Sequence, residues 1–167
     1  MKDVRDVLGD VEGAAARKVA SMLAPSSAAA EELRVAVHQR LPQMDLDRLM
    51  QLSRELCGKG HATAPDAYLP HPYRIGTVLA SLSHAPDPEL VTLGVLHNVY
   101  EVSDATEETM MARGVSERLA RAIRLLTIDR TRETDVDYLT GFYGAIEAHG
   151  PELALVRTID KLDNVLG

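Results

Sequence analysis

Glu89-Leu90-Val91-Thr92-Leu93-Gly94-Val95-Leu96-His97-Asn98-Val99-Tyr100-Glu101-Val102 is expected to form one helix. Its apolar residues point in nearly every direction around a helical axis, and a helix that is apolar all round belongs in a protein interior. His97, Asn98 and Glu101 interrupt that pattern, and the four-residue spacing of His97 and Glu101 puts them on one face. Gly94 beside them is read as open space next to the polar groups. A buried carboxylate needs a partner, and a metal ion is one such partner. The competing explanation is a core histidine bonded to Glu101, with Asn98 bonded to backbone. From this helix alone both stay open.

Outward from this stretch, apolar residues recur every three or four positions, and no segment alternates as a strand does. The spacing predicts helices over Val11–Leu23, Ala28–Leu41 and Asp45–Leu56, with Pro25, Pro42 and then Gly58 and Gly60 as stops. His61 to Pro70 reads as a loop, and Pro72 as the first residue of a helix reaching Ser83. After Glu89–Val102, further helices are expected at Glu107–Ala112, Ser116–Thr127, Val136–Ala148 and Glu152–Leu166, with a charged loop at Arg130–Thr134. The expected fold class is all-α. Residues 1–41 are read as an N-terminal helical extension and residues 45–167 as the main helical bundle. The Ala-rich faces of the extension suit packing on a second copy, so a homo-oligomer through these helices is an expectation.

Two further elements carry candidate chemistry. His71 lies between Pro70 and Pro72, held at a stiff helix entry that suits a ligand; many such histidines are surface residues. In the last helix Arg157, Asp160, Lys161 and Asn164 share one face, with Leu155, Val156, Ile159, Leu162, Val165 and Leu166 opposite. Taken alone, that polar face reads as a solvated stripe.

Composition narrows the classes. The 167 residues suit one compact domain, and 46% hydrophobic residues argue against general disorder. The net charge is −7 and no basic run exceeds two residues, which disfavours a polynucleotide partner. Cys57 is the single cysteine, so an internal disulfide and a thiolate zinc cluster are excluded. Charged residues interrupt Met1–Leu23, unlike a signal peptide, and no stretch approaches the ~18 apolar residues of a membrane span. A cytoplasmic location is expected.

In combination these segments resemble the HD-domain metal-dependent phosphohydrolase superfamily, and within it the RelA/SpoT-type branch (guanosine polyphosphate 3′-pyrophosphohydrolase-like) and its small stand-alone relatives. The resemblance covers about Asp45 to Gly167. Tyr68-Leu69-Pro70-His71-Pro72 resembles the family's Pro-Tyr-Ile-x-His-Pro, and Leu93 to Val102 its Ala-Leu-Leu-His-Asp-x-x-Glu-Asp helix. Gly114 to Thr127 resembles the following helix pair, and Val156 to Asn164 resembles Ile-Lys-Leu-Ala-Asp-Arg-Leu-His-Asn.

The resemblance implies an HD-domain helical bundle with one divalent metal, manganese first and iron or zinc as alternatives. It implies His71, His97 and Asp160 as ligands, with Asn98 in the place of the fourth, an aspartate in the family. It implies Glu101 as the catalytic residue handling the attacking water, and Arg157 and Asn164 as substrate-binding residues. The implied reaction is hydrolysis of a nucleotide-like phosphorylated small molecule, of which an alarmone is one kind. The chain departs from the family in three places. Asn98 removes a ligand charge, Val102 replaces a second acid, and His61 to Ala67 has no cation where the family has a basic loop. These departures support the alternative of an inactive HD domain that binds a ligand or protein partner for regulation. Asn98 is either an engineered disabling exchange or natural divergence, and the joint loss of acid and basic loop favours divergence.

Overall fold

The structure is a computed structural model that describes residues 26–57, 68–82 and 86–166. Among these residues the fold is all-α, without a strand. The helices are α1 (Ser26–Arg40), α2 (Leu46–Cys57), α3 (Pro70–Ser81), α4 (Pro88–Leu96), α5 (Val99–Val102), α6 (Glu107–Ala112), α7 (Glu117–Leu126), α8 (Val136–His149) and α9 (Pro151–Leu166), with a 3₁₀ turn at Arg130–Arg132. The helix expected over Val11–Leu23 and the loop expected over 61–67 lie outside the described residues. No helix among the described residues is long and apolar enough to cross a membrane.

Local chemistry explains most of the helix starts. Asp87 accepts the Glu89 N–H at 2.9 Å ahead of α4, and Asp135 accepts the Tyr138 N–H at 3.0 Å ahead of α8. Ser116 caps α7 through the Leu119 N–H, and Thr106 and Thr109 cap α6 reciprocally. Pro70 opens α3, two residues earlier than expected, because first-turn positions need no amide hydrogen. His71 therefore sits inside the first turn rather than before it. Gly150, at φ +142°, makes the turn between α8 and α9.

The central layer is α3 against α4, flanked by α1 on α3 and by α9 and α7. Gly94 does not leave open space. A Cβ there would meet Leu79 and Ile75 of α3, and one on Gly76 would meet Val95 at 2.7 Å. The two glycines are where the α3 and α4 backbones approach, with side chains from each helix filling the gap. Leu33 and Val37 of α1 are buried in the same core, so one face of α1 packs into the bundle.

The expected continuous helix over Glu89–Val102 is broken. α4 ends at Leu96, His97 and Asn98 form a turn, and α5 follows. Asn98 has φ −104° and ψ 8°, and its carbonyl accepts both the Glu101 and Val102 N–H groups. Asparagine competes with helical backbone geometry. His97 keeps helical angles, φ −53° and ψ −33°, so the departure falls at Asn98, and both side chains are buried.

The stripe expected to be solvated on α9 is so only in part: Lys161 and Asn164 are exposed, but Arg157 is 5% exposed and Asp160 2%. Leu162 and Val165, on the side expected to be apolar, are exposed instead. Asp163 is the residue in that turn that faces α3, where it meets His71 and Arg74, and this orients Leu162 outward.

Candidate metal centre

Three helices converge at the core's polar centre: α3 brings His71, the end of α4 brings His97, and α9 brings Asp160. One ligating atom from each lies within 4.8 Å of the others. Asp160 Oδ1 is 3.3 Å from His71 Nε2 and 3.5 Å from His97 Nε2, and the two imidazole centroids are 5.2 Å apart.

Hydrogen bonds settle which ring nitrogens face this centre. His97 Nδ1 donates to the Gly94 carbonyl at 2.7 Å. His71 Nδ1 donates to the Asp163 carboxylate at 2.7 Å. In the neutral rings both Nε2 atoms are therefore lone pairs, turned with a carboxylate oxygen toward one point. Three electron-rich atoms at such separations repel unless protons or a cation lie among them. His97 Nε2 and Asn98 Oδ1 are both buried without a hydrogen-bond partner among the described residues. An orphaned imidazole nitrogen 3.5 Å from a buried carboxylate oxygen fits a divalent cation.

Asp160 is the pivot. Its Oδ2 accepts from Arg157 Nη1 at 2.8 Å and its Oδ1 from Asn164 Nδ2 at 2.7 Å. Burial pushes its carboxyl up, but the nearby imidazoles of His71 and His97 and the charge of Arg157 outweigh that and hold it far below the carboxylate range. For His71 burial acts downward, and the carboxylates of Asp160 and Asp163 raise it overall.

Arg157 and Asn164, expected at the substrate, thus both hold Asp160 in this structure. Arg157 also keeps Nε and Nη2 buried without an acceptor among the described residues, with its guanidinium carbon 5.2 Å from the Phe142 ring centroid. Glu101 is outside the three-residue group. Its Oε1 accepts the Ile128 N–H at 3.2 Å and its Oε2 pairs with Arg130 at 2.7 Å. Tyr68 places its ring edge-on to His71, and its hydroxyl is pushed well above the phenol range, by burial first, with a bond to Asn98 opposing.

Comparison with family models, curated proteins and solved structures returns no match. What the centre can do chemically is carried by its own atoms. Asp163 and Arg74 were missed in the sequence; the available signal was spacing, since Arg74 follows His71 by three residues and Asp163 follows Asp160 by three. Cys57 offers no alternative nucleophile: burial pushes its thiol up to about 12, against a weaker opposing bond from Ser53.

Proposed function

We propose that this chain is a metal-dependent phosphohydrolase of the HD type, acting on a nucleotide-like phosphorylated small molecule. The convergence of His71 Nε2, His97 Nε2 and Asp160 Oδ1, with no hydrogen bond to His97 Nε2 or Asn98 Oδ1, carries the reading.

In that reading His71, His97 and Asp160 each give one atom to a divalent metal, and Asn98 offers a neutral oxygen where the family has a carboxylate. The metal would supply Lewis acidity toward a phosphoryl oxygen and a lowered pKa for water. Arg157 neutralises Asp160 Oδ2 and holds two further donors suited to anionic phosphate oxygens. Asn164 keeps Asp160 Oδ1 oriented. Glu101, once Arg130 releases it, would take the proton from the water that attacks the phosphoryl group, while the Ile128 N–H keeps the carboxylate aimed.

A second reading, a regulatory domain that binds without turnover, is favoured by one observation: both Glu101 oxygens are already engaged. The test is manganese titration of chelator-free protein followed by a phosphate and pyrophosphate release screen on nucleotides. About one manganese per chain, with release that His97→Ala abolishes, supports the hydrolase. Nucleotide binding that survives chelation, without release, supports the regulatory domain. A release rate indifferent to metal sinks the first reading.

A further inference from the structure

The two histidines of the centre are locked by different means. His97 is tied to a backbone carbonyl of its own helix, three residues earlier. His71 has no such backbone tie; its Nδ1 meets a carboxylate 92 residues away, on α9. That carboxylate is itself clamped. Asp163 Oδ1 accepts from Arg74 Nε at 2.8 Å, and Asp163 Oδ2 accepts from Arg74 Nη2 at 2.7 Å as well as from His71 at 2.7 Å. The side chains are largely buried, at 16% exposed for His71, 13% for Asp163 and 26% for Arg74.

We propose that Asp163 and Arg74 are the positioning residues of the centre: Asp163, held in a two-pronged grip by Arg74, fixes the His71 ring with its proton on Nδ1 and its Nε2 lone pair facing Asp160. The chemistry of each contact supports this. A planar guanidinium making two parallel bonds leaves a carboxylate little rotational freedom. The remaining acceptor direction on Oδ2 then selects both the tautomer and the orientation of the imidazole. Asp163 also lies one turn beyond Asp160 on α9, so the helix that presents the carboxylate of the centre also carries the brace for a histidine on α3.

The arrangement also bears on Asn98. With one carboxylate among the ligating atoms, the donor strength of each imidazole matters more, and a carboxylate behind Nδ1 raises it. The Arg74 charge moderates that effect while securing the geometry. A simple staple between α3 and α9 would need only Arg74 and Asp163; the bond to His71 is what joins the staple to the centre.

The inference takes its purpose from the metal reading but its geometry stands without metal, and the test separates the two. The ¹⁵N shifts of the His71 ring are recorded in metal-free protein at alkaline pH, where the imidazole is neutral, for wild type, Asp163→Ala and Asp163→Asn. Wild type shows the Nδ1–H form. D163A loses that preference and shifts toward Nε2–H, while D163N, whose side-chain oxygen still accepts, retains it. Manganese titration then shows an affinity about ten- to a hundredfold weaker in D163A, with D163N recovering part of the loss. Thermal melting of each variant confirms that the fold is intact. Wild-type protein that takes up no manganese defeats the metal reading alone, and the ring tautomer still decides the role of Asp163. An unchanged tautomer in D163A, or unchanged affinity in D163A when wild type binds manganese, overturns the proposal.

Discussion

Two carboxylate–guanidinium pairs of almost equal length behave as opposites. Arg157 and Asp160 meet at 2.8 Å, and both side chains are nearly inaccessible. Arg130 and Glu101 meet at 2.7 Å, but the Arg130 side chain is 60% exposed while that of Glu101 is 6%. In the first pair neither partner has water to turn to, so the geometry is rigid. In the second the cation can leave for solvent at little cost, which exposes a buried acid to new partners. Distance alone does not distinguish a fixed element from a releasable one. The environment of the cation does.

The largest effect should come from breaking the buried pair. Arg157→Ala leaves Asp160 without its guanidinium partner and is expected to lower stability by about 3–5 kcal/mol in urea titrations. If a metal occupies the centre, added manganese recovers part of that loss; no recovery would detach Arg157 from the metal site. Next comes the charge missing from the same region. Asn98→Asp is expected to tighten manganese binding roughly tenfold to a hundredfold by calorimetry, and unchanged affinity would remove residue 98 from the ligand set.

A smaller effect follows from acid. Asp160 and Asp163 are both held below their ordinary value of 3.8, Asp163 at about 2, where bonds and charge from His71 and Arg74 outweigh the upward push of burial. A depressed carboxylate stabilises the fold fully above its unfolded value and loses that contribution as pH falls through the folded one. Urea midpoints should therefore drop between about pH 4 and pH 2, and Asp163→Asn should flatten the drop. The smallest change is expected at the rim. Arg130→Ala should cost less than about 1 kcal/mol and leave manganese affinity unchanged, while shifting the pH profile of any hydrolysis that Glu101 assists. A large loss of stability would erase the contrast between the two pairs.

Much of the centre was legible beforehand. His97 stood out because a polar residue in an all-apolar helix must find a partner, and His71 because two prolines confine it. Asp160 emerged from the resemblance rather than from its own helix, whose polar stripe looked solvated. Other features were hidden from local reading. Gly94 looked like open space, but Leu79 and Ile75 of another helix fill it. Leu162 was placed with the apolar face, yet it is half exposed because Asp163 is the residue that turns to α3.

Most helix positions followed from the sequence itself, because caps, prolines and three-to-four spacing act over a few residues and need no distant contact; the break at Asn98 and the start at Pro70 did not. The residue types able to ligate a metal were likewise written in the chain. Only the tertiary structure decided that Arg157 and Asn164 hold Asp160, that Arg130 engages Glu101, and that Asp163 braces His71. Which cation meets which acid, across 29 residues in one case and 89 in another, depends on how whole helices pack. Local periodicity carries no record of that choice.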